Sequence, residues 1–179
     1  MINPRHADDL PRRIVDTDVP NVARIYDFLL GGKDNFAVDR AAARALLAAV
    51  PEAARAARDN RAFLARAVRF LAQHAGIRQF LDIGTGLPAR GHVHEIAREA
   101  DPMARVVYCD NDPVVVAHAS ALLADASTVT AVKCDLRLPH QLITHPRVSA
   151  LIDFDQPVAV LLVAVLHFCA MRRPVVFLA

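Results

Sequence analysis

The chain has 179 residues, 54% of them hydrophobic and 22% charged, with a formal net charge of +2. That length suits one domain. The composition excludes a largely disordered chain, and the charge balance excludes the dense positive field of a nucleic-acid binder.

Residues 1–19 read as a polar, Pro-containing arm. It has no apolar run of the kind a signal peptide needs. From Asn21 to Leu30 the apolar residues Val22, Ile25, Phe28 and Leu29 fall at helical spacing, and Gly31-Gly32 ends that helix. Phe36 to Val50 is Ala-rich and predicts a second helix. Pro51 suits the first turn of a third, which runs to about Ala75 with Gly76 as its cap. In this third helix Phe63, Ala67, Phe70 and Leu71 form the expected apolar stripe. Arg55, Arg58, Arg61 and Arg69 form the expected solvated face. Residues 20–76 are thus a helical segment, and 77–179 the remainder of the same domain.

The pattern then changes. Short apolar runs occur at Gln79–Ile83, Arg105–Cys109, Val129–Cys134 and Val158–Leu166. Helices are predicted between the first three, near His92–Ala100 and Pro113–Ala124. Strands alternating with helices imply an α/β fold with a parallel sheet. Strands apolar without alternation imply a sheet covered on both faces. The stretch Pro157–Met171 is read as containing a buried central strand, since it is too short to span a bilayer. Cys109, Cys134 and Cys169 match no zinc or redox spacing, and no metal is expected. A reducing cytoplasm is the expected location.

The chemistry-bearing feature is Leu81-Asp82-Ile83-Gly84-Thr85-Gly86, at the end of the first strand. Gly84 and Gly86 allow a sharp turn and close approach of a ligand. Counting on to Ala89 gives G-x-G-x-x-A, a dinucleotide-type fingerprint. Asp110 follows the second strand, 24 residues after Gly86, where an acid can accept hydrogen bonds from ribose hydroxyls. Asp135 follows the third strand and suits an adenine amino group. Ligands of open α/β sheets bind at that edge. An acid inside the glycine turn repels a pyrophosphate and favours a cationic ligand. The charge logic therefore prefers S-adenosylmethionine (SAM), with its ammonium and sulfonium, to NAD.

The segment Leu81–Gly86 resembles motif I of Rossmann-type SAM-dependent methyltransferases. More narrowly, the chain is similar to an actinobacterial S-adenosyl methyltransferase family, formerly catalogued as a domain of unknown function. The matching segments are Arg24–Phe36, containing Gly31-Gly32-Lys33-Asp34-Asn35, then Val107–Pro113 and Leu161–Phe168. The resemblance implies a Rossmann-like methyltransferase fold with an N-terminal helical cap and strand order 3-2-1-4. It implies SAM as cofactor, with Asp82, Gly84, Thr85, Gly86, Asp110, Asn111 and Asp135 lining the site. It implies that the N-terminal helices, with Tyr26, Gly31 and Gly32, close over it. His167 and Tyr26 are the candidate bases. The expected reaction is methyl transfer to an acceptor, a small molecule, with no nucleic acid or membrane partner.

The family pattern lapses after Phe168. Only seven residues separate Leu166 from Pro174, and a parallel crossover needs about a dozen or more. The chain therefore reads as truncated, with C-terminal strands missing and an open edge at the fourth strand that favours self-association. Two other readings stand beside the enzyme. One is an inactive SAM-binding or interaction module. The other is an NAD(P) oxidoreductase, which rests on the glycine count alone. Among the remaining features, Gly31-Gly32-Lys33 is rejected as a phosphate loop, because no strand leads into it and Asp34 stands where Ser or Thr is needed. Asp112 before Pro113 reads as an N-cap. His92 and His94 read as a solvated helix start.

Overall fold

The structure is a computed structural model that describes residues 16–88, 91–123 and 127–168. Most of the N-terminal arm, Ala89 of the glycine fingerprint and the tail beyond Phe168 lie outside the described residues.

Three helices come first: α1 (Val22–Leu29), α2 (Ala37–Ala49) and α3 (Ala53–Gln73). Asn21 caps α1, its side chain accepting the Arg24 amide at 3.2 Å. Gly31 ends the helix at φ +80°, a left-handed conformation. The Gly32 amide then donates back to the Asp27 carbonyl. At the end of α3, Gly76 takes φ +69° and the Ile77 amide reaches back to Leu71, as the sequence predicts.

The buried stripe of α3 differs from expectation. Ala57, Leu64, Val68 and Ala72 face the core, while Phe63 and Phe70 are 54% and 60% exposed. The phase of the helix follows its small and β-branched residues. Phe63 and Phe70 fall on the opposite side of the helix. Arg61, four residues after Ala57 and three before Leu64, consequently sits on the inner face.

Strands β1 (Gln79–Ile83), β2 (Arg105–Asp110), β3 (Val129–Lys133) and β4 (Ala159–Leu161) form one parallel sheet in the order β3-β2-β1-β4. The linking elements are α4 (Val93–Arg98), α5 (Pro113–Leu122), α6 (Pro139–Ile143) and α7 (Pro146–Leu151). Side chains alternate across the sheet. Phe80, Val106, Tyr108, Ala131 and Leu161 pack on one face with residues of α3, α4 and α5. Leu81, Ile83, Val107, Cys109 and Val132 pack on the other with Leu142 of α6 and Val148 of α7. All five residues of β1 are buried, as a strand covered on both faces requires. Cys109 is fully buried in the middle of this second layer, and burial pushes its thiol pKa up.

The fourth strand is shorter than the apolar run predicts. It ends at Leu161 rather than Leu166, and Val160 is 53% exposed. It pairs with β1 alone among the described residues, so the expected buried central strand is an edge strand there. Beyond it, Ala164 takes φ +54°. Val165 packs against Gly84 so closely that a Cβ there would stand 2.3 Å from a Val165 methyl. A 3-10 turn, Leu166–Phe168, follows.

Candidate cofactor site

β1 delivers Asp82 to the sheet's C-terminal edge, in register with Tyr108 of β2. The chain then turns through Gly84 and Gly86, at φ +73° and +67°, values that a residue with a Cβ adopts at a cost. The Gly84 amide donates to the Cys109 carbonyl at 2.8 Å. The Gly86 amide donates to the Asp110 carboxylate at 2.9 Å, which stitches the turn to the end of β2. Asp110 also accepts the Asp112 amide at 3.0 Å.

Asp82 is 6% exposed. Its carboxylate accepts the Thr85 hydroxyl at 2.9 Å. Burial pushes its pKa up to about 6, against the opposing pull of Thr85 and of the Arg61 charge, and the Asp110 charge adds to the rise. Asp110 is likewise above the usual carboxylate range: burial outweighs the Asp112 and Gly86 amides. Two carboxyls short of positive charge therefore share this rim.

Asp82 opens into a cleft of about 420 Å³, counting its mouth. Thr85, Gly86, Leu87 and Pro88 form one wall, and Val93, Ala119 and Leu123 another. Arg61, His92, His94 and Tyr108 supply the remaining polar lining. The Tyr108 hydroxyl lies 3.0 Å from the His94 amide and 2.8 Å from its Nδ1, which suits a hydroxyl that accepts from the amide and donates to the ring. Burial holds both histidines below their ordinary pKa. His92 and His94 thus form part of a cleft instead of a solvated helix start. Sequence reasoning passed over these two and Arg61. The phase of Ala57, Leu64 and Val68 was the available signal for Arg61.

The other expected site residues are placed as follows. Asn111 is exposed beside Asp110. Asp135 follows β3, where the Arg137 guanidinium and amide bind its carboxylate and hold its pKa near 2. Asp112 caps α5, accepting the Val114 amide at 2.8 Å. It also accepts Asn21 Nδ2 at 2.6 Å, which fastens the start of α1 to this corner of the sheet. Tyr26 lies between helices: its hydroxyl donates to the Ala57 carbonyl at 3.2 Å and accepts from Asn60 at 2.9 Å. Gly31 and Gly32 belong to a loop wrapped around the Asp27 carboxylate, which accepts the Asp34 amide at 2.9 Å and Asn35 Nδ2 at 2.8 Å. A Cβ at Gly32 would stand 1.9 Å from that carboxylate. Of the expected site residues Asp82, Thr85 and Gly86 line the cleft, while Gly84, Asp110, Asn111, Asp135, Tyr26, Gly31 and Gly32 are absent from its lining. His167, expected to close the fourth strand, is exposed in the 3-10 turn with its ring 4.0 Å from that of Phe168.

Among the described residues no cluster of three or more His, Cys, Asp or Glu side chains is arranged to hold a metal ion. No helix there is long and apolar enough to cross a membrane.

The fold has close counterparts. A provisionally designated methyltransferase from Thermobifida fusca YX superposes with a TM-score of 0.83 at 47% identity, covering 85% of this chain and 57% of that one. A DUF574-family protein from Streptomyces avermitilis MA-4680 also gives 0.83, at 42% identity, covering 87% of this chain and 60% of that one. The chain thus spans less than two thirds of the length of either protein. No curated protein matches. The S-adenosyl methyltransferase family model matches residues 8–176, nearly the whole sequence. By that match, the chain is a member of the S-adenosyl methyltransferase family.

Proposed function

We propose that the chain binds SAM at the rim formed by Asp82, the Gly84–Gly86 turn and Asp110, and that it serves transfer of the methyl group to a small-molecule acceptor in the cytoplasm. The observation that carries this reading is the Asp82 carboxyl. It is buried, its pKa is pushed up to about 6, and a second carboxyl stands close enough to raise it further. Such a rim gains from a cationic ligand and repels a pyrophosphate, which disfavours NAD.

When bound, SAM supplies a methyl group on a positively charged sulfur, open to in-line displacement. The chain's own part is placement. Asp82 takes the ammonium, Asp110 the ribose hydroxyls, and Asp135 the adenine amino group. The glycine turn lets the backbone approach without a Cβ in the way. Proximity and alignment of this kind are worth up to about 7–11 kcal/mol in favourable cases. Neither the Tyr26 hydroxyl, engaged between α1 and α3, nor the exposed His167 is assigned a proton-transfer step.

Titration calorimetry tests the reading. SAM is expected to bind the unaltered chain, and Asp110→Ala to weaken it by about tenfold to 150-fold, the range for charge-assisted hydrogen bonds. Unchanged affinity removes the ribose role. Thermal stabilisation by NAD but not by SAM overturns the assignment.

A further inference from the structure

Several arginines of this fold have a carboxylate partner, while Arg40, Arg105 and Arg147 donate to backbone carbonyls. Arg24 pairs with Asp39, Arg69 with Glu99 and Arg78 with Asp101. On the outer surface of α3, Arg55 pairs with Asp59. Arg61 differs. It is half-buried on the inner face of α3 and lines the same cleft as Asp82, Thr85 and Gly86. It donates one long hydrogen bond, from Nη2 to the Gly91 carbonyl at 3.3 Å. Among the described residues it has no carboxylate at ion-pair distance.

A guanidinium left uncommitted in a cleft is a receptor for a planar anion, which its donors can engage in pairs. The amino-acid end of SAM carries an ammonium and a carboxylate on one carbon. Asp82 suits the ammonium and repels the carboxylate. The cleft therefore needs a cation for the second group, and among the described residues Arg61 is the arginine that lines it. We propose that Arg61 receives the α-carboxylate of SAM while Asp82 receives the ammonium, so that the two select the intact amino-acid end of the cofactor. This deepens the cofactor reading above and rests on it.

Decarboxylated SAM separates the two roles, because it keeps the ammonium, sulfonium, ribose and adenine and lacks only the carboxylate. Calorimetry is run with both ligands on the unaltered chain and on Arg61→Gln. The unaltered chain is expected to prefer SAM by about tenfold or more, the scale of a charge-assisted hydrogen bond. Arg61→Gln loses that preference by weakening SAM without weakening decarboxylated SAM. Arg61→Lys retains part of it, since the charge stays and the fork is lost. Equal weakening of both ligands overturns the proposal, because Arg61 would then only support the site. No preference in the unaltered chain overturns it too, and so does full SAM affinity in Arg61→Gln. Should Arg61→Gln not fold, the preference of the unaltered chain and its reduction in Arg61→Lys decide the matter. Failure of the unaltered chain to bind either ligand removes the cofactor reading itself, and Arg61's role with it.

Discussion

At the scale of single residues, Asp82 sets a conflict between stability and function. Its carboxyl has a pKa of about 6 in the fold against 3.8 when unburied. The folded chain therefore holds this proton more tightly than the unfolded chain between those values. Stability falls as pH rises through that window, and the whole penalty is present above about pH 6. Asp82→Asn removes the charge and keeps an acceptor for the Thr85 hydroxyl. Denaturant melts should show this variant more stable than its parent at pH 8, by up to about 3 kcal/mol, with the gain vanishing below pH 4. Equal differences at both pH values would show that the carboxyl is not under strain. SAM binding should be lost in the same variant, since the ammonium loses its partner. Asp82 and the glycines were legible in the sequence because they lie in one contiguous motif whose charge and backbone demands are both explicit. Asp110 was legible through the spacing of successive strands. Arg61 was not. The rings of Phe63 and Phe70 suggest a stripe on a different side of the helix from the true one, and that difference moves Arg61 from the cleft to the solvent.

At the scale of elements, the helical segment is held by one buried ion pair. Arg24 Nε meets the Asp39 carboxylate at 2.7 Å with both side chains almost fully buried. Asp39 also accepts the Asn21 amide at 2.9 Å and the Phe36 amide at 2.8 Å. Burial alone would raise its pKa, but the Arg24 bond and these amides outweigh it and hold the carboxyl below the usual range. Its contribution is thus present at neutral pH and lost as pH falls through the folded value. Asp39→Ala leaves a guanidinium buried without its anion and should cost about 3–5 kcal/mol in urea denaturation. A loss under 1 kcal/mol would show that Arg24 finds another anion or water. The main helices and the first three strands were legible because each has punctuation: Gly31, Gly76, Pro113 and the acids at the ends of those strands. The end of β4 was not, since the apolar run Val158–Leu166 contains no turn residue. The strand ends at Leu161, and the chain then turns left-handed at Ala164, a conformation that no local propensity announces. The short helices α6 and α7, five and six residues long, give too few turns for a periodic signal.

At the scale of the whole molecule, the strand order was legible through the family resemblance and not through local pattern, since β3 and β4 follow one another in the chain yet lie at opposite edges of the sheet. Among the described residues, the edge at β4 carries exposed Val160 and Leu162, with Leu166 and Phe168 just beyond. Unpaired strand edges with apolar side chains invite association. Light scattering across a dilution series should show self-association, and Val160→Lys should reduce it. A monomer at every concentration would show that the edge is protected. The sulfur of Cys109 gives the same architecture a practical use. Alkylating reagents attack the thiolate, and this thiol is both fully enclosed between the sheet and its second layer of helices and pushed toward its protonated form. Cys134 is only partly enclosed. Differential mass labelling of the two sulfurs would therefore time how often the strands part, against an internal reference for local fraying, with no dye or tag added to the chain.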